Sequence, residues 1–231
     1  MGLSNQLKET SMKKIFLLMF IISAIAGPTS AKKLTGNDLV VTKPISLTYN
    51  FDIEGGELGG TQGMITVQAQ PSKTIGLQGQ VTYKDDEGKL KTEQFQGTYR
   101  SDVEKPILID MIKAINFGSL SDPKFTDGTL YTRVVMVTHF SSSVMASAVV
   151  LATQHDLKPG VYKDPLSPGK LTVSEDILIN TPVWMVSQSL GNNKYTVAIR
   201  QDNGLPYYYQ MTSTDKSGPS RITVRIRSAR I

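Results

Sequence analysis

Between Ser46 and Asp52 every second residue is apolar, with Leu47, Tyr49 and Phe51 on one side of the chain and polar residues on the other. A side-chain period of two is what a strand presents when one face meets a core and the other meets water. The pattern returns along the chain. Met64–Gln70 alternates less cleanly, with Ile65 and Val67 on one face, and a glycine-rich loop from Glu54 to Gly60 joins it to the first run. Gly76–Lys84 and Lys89–Tyr99 flank Asp85-Asp86-Glu87-Gly88, a hairpin signal because glycine supplies the positive φ of a tight turn. Tyr195–Gln201 and Leu205–Ser213 flank Asp202-Asn203-Gly204, where Asn-Gly is the strongest short hairpin signal. A third hairpin is predicted from Leu130–Phe140 and Ala146–Gln154 across a serine-rich turn, and Arg221–Arg230 closes the chain as another alternating strand.

One stretch follows a different period. Residues 107, 108, 111, 112 and 115 are apolar, which is a helical stripe. Pro106 suits the first turn and Gly118 the C-terminal cap, so the one substantial helix is predicted at about 103–117. Pro159, Gly160, Pro165, Pro168 and Gly169 mark 155–170 as a long loop or an internal boundary. Together these predict a mainly β chain, a sandwich-like two-layer fold of antiparallel strands with one helix.

The N-terminal 31 residues stand apart. Lys13 and Lys14 precede an apolar run, Ile15–Ala26, and Gly27-Pro28 and small residues up to Ala31 follow. That order is a secretory signal, with cleavage expected after Ala31. The run of about 12 residues is short of the roughly 20 that span a bilayer. Met12 reads as the functional start, with Met1–Ser11 an upstream extension or a long n-region. The expected mature chain, Lys32–Ile231, is about 200 residues, enough for one β-rich domain. No segment of it is apolar enough to cross a membrane as a helix.

The chain has no cysteine. That excludes a disulfide framework and a thiolate metal site, and an exported chain of this kind fits a bacterial periplasm or secreted fluid. The formal net charge of +5 falls by two without the leader, whose Lys8, Lys13 and Lys14 outnumber Glu9. Such mild basicity is no signature of specific nucleic-acid binding.

Catalytic patterns are weak. The two histidines, His139 and His155, lie near opposite ends of the predicted third hairpin, on the order of 20 Å apart, too far for one metal ion. Ser141–Ser143 lack the glycine-flanked turn of a nucleophile elbow. Asp85, Asp86 and Glu87 cluster in a turn, where solvated acids are common. The Gly55–Gly60 loop lacks the lysine and the following helix of a phosphate cradle. No metal or cofactor is expected.

Two surfaces remain as binding candidates. Tyr207 and Tyr209 share one face of their strand and would be an aromatic platform if that face is exposed, or cross-strand packing if it is not. In the terminal strand Ile222, Val224 and Ile226 commit one face to the core, leaving Arg225 and Arg227 on the other, with Arg221 beside them. This stripe suits an acidic protein or an anionic polymer. The sequence thus reads as an exported, non-enzymatic β-rich protein binding a partner or anionic polymer in the cell envelope or extracellular space. A secreted hydrolase acting on such a polymer is the alternative.

Overall fold

The structure is a computed structural model that describes residues 33–56, 58–72, 74–101, 110, 143–215 and 218–231. Ten strands run β1 Ile45–Glu54, β2 Thr61–Ala69, β3 Thr74–Lys84, β4 Leu90–Arg100, β5 Gly160–Lys163, β6 Lys170–Leu178, β7 Thr181–Leu190, β8 Asn193–Arg200, β9 Pro206–Asp215 and β10 Gly218–Arg230. A helix, α1, occupies 143–154. The chain is mainly β with a helix, as its alternation predicts. The strands join edge to edge in one antiparallel sheet of order β4-β3-β2-β1-β10-β9-β8-β7-β6-β5, in place of two stacked sheets.

This order is two meanders zipped together. β1 to β4 run outward in one direction, β5 to β10 run back from the far edge, and β1 and β10 form the joint. Two of the three predicted hairpin turns are present. Asp85 accepts the N–H groups of Glu87 and Lys89 at 3.0 and 2.9 Å, and Gly88 takes φ 77°. The Lys89 N–H most, then the Lys91 ammonium and the Glu87 N–H, hold the half-buried Asp85 carboxyl below the usual range. At the other turn Gly204 takes φ 71° and its N–H bonds the Arg200 carbonyl at 3.0 Å.

Alternation assigns the inner face. Leu47, Tyr49, Phe51 and Ile53 of β1 are buried, as are Ile65 and Val67 of β2 and Ile222 and Ile226 of β10. Two glycines make room for rings. A Cβ on Gly63 would lie 2.6 Å from the Phe51 ring and 2.2 Å from the Gln80 carbonyl oxygen. One on Gly79 would lie 2.4 Å from the Phe95 ring. Phe51 faces Gly63 and Phe95 faces Gly79 across the ladder, so each ring fills the space its neighbour leaves.

The third predicted hairpin is corrected. Residues 143–154 form α1, and Val144, Met145, Ala148, Val149, Leu151 and Ala152 are all buried. The less buried positions, Ala146, Val150 and Thr153, recur at helical spacing, but the first two are apolar, so no polar stripe separates helix from strand in the sequence. Residues 130–140 lie outside the described residues, as does the predicted helix at 103–117 apart from Asp110, which is helical and buried. The predicted 155–170 loop contains the short strand β5 and a tight turn.

That turn carries a buried carboxylate. Asp164 accepts the N–H groups of Leu166 and Ser167, the Ser167 hydroxyl at 2.5 Å and the Gln188 amide at 2.8 Å. Burial pushes its carboxyl up, but the hydroxyls of Ser167 and Ser147, the Leu166 N–H and the Gln188 amide outweigh it and hold the group below the usual range. Ser147 lies on α1 and Gln188 on β7, so this one side chain ties helix to sheet.

Candidate functional site

The outer face of the sheet is built by the residues that alternation turns away from the core. Cross-strand pairing sets them in rows. One row runs Gln94, Gln80, Met64, Asn50, Arg225 and Tyr208 from β4 through β3, β2, β1 and β10 to β9. The next begins Gln96, Gln78, Thr66 and Thr48. Between these rows, over β2 to β4, lies a groove of about 510 Å³ lined by Met64, Thr66, Gln78, Gln80, Gln94 and Gln96. Thr66 is the buried floor and shares a 3.1 Å hydrogen bond with Thr48. Gln78, Gln80, Gln94 and Gln96 are exposed.

The arginines of β10 lie beyond β1 from this groove, and they are not equivalent. Arg221 pairs with Glu54 at 3.3 Å and Arg225 with Asp52 at 3.2 Å, both across the β1–β10 ladder. Two of the three arginines of the predicted stripe are therefore paired with acids from β1. Arg227 differs. Tyr49 faces Ile226 while Thr48 faces Ser228, so Arg227 is the extra residue of a β-bulge. A bulge breaks strict alternation and re-aims a side chain. The Arg227 guanidinium reaches over β1 and donates to the Met64 sulfur at 3.5 Å. Thioether sulfur is a weak acceptor. Among the described residues no carboxylate lies within ion-pair distance of Arg227, which is exposed.

Tyr207 and Tyr209 belong to the other face. They are 6% and 0% exposed, so the exposed-platform expectation is corrected to core packing. Arg200 lies over the Tyr207 ring, 5.6 Å from its centroid, and donates to its hydroxyl at 3.2 Å. Among the described residues the buried Tyr209 hydroxyl has no hydrogen-bond partner. Tyr208, between them, is the outward residue; burial pushes its hydroxyl up in pKa, Arg225 and Arg221 pull it down and Asp52 adds to the rise.

His155 is exposed and packs at a tilt on Tyr162, with ring centroids 5.6 Å apart. His139, Ser141 and Ser142 lie outside the described residues. Among the described residues no three His, Asp or Glu side chains gather as a metal site.

Reading the sequence alone missed the acids that neutralise Arg221 and Arg225 and the row of glutamines. The glutamine signal was present at Gln62, Gln68, Gln78, Gln80, Gln94 and Gln96, all at outward positions of alternating strands.

No known family matches the chain, and no characterised protein matches it in sequence. Solved structures with some likeness include PNGF-II, at 10% identity and a TM-score of 0.29 over 82% of this chain. The chain spans only 28% of that protein. A LolA superfamily protein from Nitrosomonas europaea is 8% identical, with a TM-score of 0.25, over 87% of this chain and 90% of its own.

Proposed function

We propose that this is an exported, non-enzymatic binding protein of the cell envelope or extracellular space, holding an anionic polymer on the outer face of its sheet beside β10. Arg227 carries the reading. An exposed guanidinium with five donors and only a thioether to bond is a cation kept for an incoming acceptor. Its neighbours Arg221 and Arg225 already have carboxylate partners, so they shape the site more than they charge it.

The test is association with soluble polyglutamate and polygalacturonate, followed by calorimetry. Binding should weaken between about 0.05 and 0.5 M salt as the Debye length shortens. Arg227→Glu should abolish it, while Lys89→Glu, in the exposed β3–β4 turn, should leave it intact. Absence of binding to both polymers, or binding indifferent to salt and to Arg227→Glu, would overturn the proposal.

A further inference from the structure

Resting on that reading of Arg227, we infer that the polymer is an acidic polysaccharide, whose sugar hydroxyls are taken by the glutamine-lined groove and whose carboxylates are taken by Arg227.

The groove offers almost nothing but neutral hydrogen-bonding groups. Gln94, Gln80 and Met64 form one row, and Gln96, Gln78 and Thr66 the next. Along a row the side chains sit about 4.8 Å apart, the strand spacing, and the rows are two residues, about 6.8 Å, apart. An amide sets a donor and an acceptor side by side, and a hydroxyl both donates and accepts, so a pair of adjacent sugar hydroxyls matches one amide. Among the described residues the amides of Gln78, Gln80 and Gln94 have no hydrogen-bond partner, so no internal bond must break before they bind. Of the apolar side chains of the lining, Phe95 is buried and Met64 half-buried, and the polarizable Met64 thioether suits the C–H face of a pyranose ring.

The same composition argues against other occupants. A protein partner wants an apolar core with aromatic anchors, and the groove has one methionine. A nucleic acid wants clustered cations and stacking rings; the exposed cation without a carboxylate at this groove is Arg227, and Phe95, the one aromatic residue of the lining, has its side chain buried. Charge complementarity fixes the remaining choice among glycans. Arg227 touches Met64, so a chain lying on that residue meets the guanidinium, and a carboxylate-bearing sugar satisfies it where a neutral one leaves it with the sulfur.

The experiment compares polygalacturonate, which has hydroxyls and carboxylates, with polyglutamate, which has carboxylates alone, and with dextran, which has hydroxyls alone. The full chain is used with two double variants, Gln80→Ala with Gln94→Ala and Gln80→Glu with Gln94→Glu. All these positions are exposed, and circular dichroism and melting check that the fold is kept. The wild type should prefer polygalacturonate to either control by about ten-fold or more, the scale of two or three hydrogen-bonded groups. The alanine pair should remove that preference without changing the weaker binding to polyglutamate, and the glutamate pair should abolish binding to polygalacturonate. Equal binding of the two polyanions, unmoved by the alanine pair, would overturn the polysaccharide inference and leave the anionic-polymer function standing. Preference for dextran that ignores Arg227→Glu would overturn both. No binding to any of the three would also overturn both.

Discussion

The two faces of the central strands are built from neighbouring residues and behave as opposites. On the inner side Val186, Val197, Tyr209, Val224, Phe51, Gly63 and Val81 form one row across seven strands. One residue along, Met185, Ala198, Tyr208, Arg225, Asn50, Met64 and Gln80 form the outer row of the same strands. The inner row is committed, since its rings fit spaces left by glycines and a change of volume is felt. In the outer row Ala198 is buried and Arg225, at the middle, pairs with Asp52, while among the described residues the Asn50 and Gln80 amides have no hydrogen-bond partner. Stability therefore belongs to one row and the proposed recognition to the other, although every strand contributes to both rows.

The largest effect that would sharpen this contrast is at Phe51. Phe51→Ala should cost about 3–5 kcal/mol, because it empties the space that Gly63 leaves open. Gln80→Ala, on the outer side, should stay within about 0.5 kcal/mol. Urea unfolding of the two variants measures both, and similar losses would break the division of roles.

Next comes Asp164. Asp164→Ala leaves the Ser167 and Gln188 donors without their acceptor, at about 1–3 kcal/mol for each buried group left unpaired. Because its carboxyl is held below the ordinary value when folded, it stabilises the fold fully above that value, about 3.9. That contribution is lost as pH falls through the lower folded value. Melting curves of wild type and variant should lie apart at neutral pH and draw together below about pH 4. A constant gap would show that the carboxylate charge is not what holds α1 to β7.

A smaller effect separates two tyrosines of the same inner face. Burial, with Tyr207 beside Tyr49 and Tyr195 beside Tyr209, pushes both hydroxyls far up, so both stay protonated. Tyr49 donates to the Pro206 carbonyl at 3.0 Å, and Tyr209 donates to nothing. Tyr49→Phe should cost about 1 kcal/mol, and Tyr209→Phe should be neutral or stabilising. Equal losses in thermal unfolding would mean that the Tyr209 hydroxyl has a partner.

The smallest effect is at the ion pairs. Arg225→Ala should cost about 0–1 kcal/mol, since an exposed pair gains little over solvated ions. A larger loss in urea unfolding would assign the outer row a share of stability it should not have.

How far the sequence could be read follows from the range of each interaction. β1, β3, β4, β8 and β10 are local, written in a period of two and in turn residues such as Asp85 and Gly204, so they were legible. Alternation placed Tyr207 and Tyr209 on one face, but nothing local said that this face meets the core. The neutralisation of Arg225 was hidden because its partner Asp52 is 173 residues away. Arg227 read as an ordinary outward residue because a bulge leaves no mark in the pattern of one strand alone. α1 reads as a strand in sequence because Ala146 and Val150, which face outward, are themselves apolar and leave no polar face to reveal the helical period.

The joint between β1 and β10 has a consequence in time. A ribosome releases β1 long before β10, and until β10 appears each meander lacks the neighbour that makes it half of a sheet. Contacts so distant along the chain form late and at a large entropic cost. The growing polypeptide is thus kept from closing its own architecture through nearly all of its synthesis, and the β1–β10 ladder is the last seam of the sheet to form.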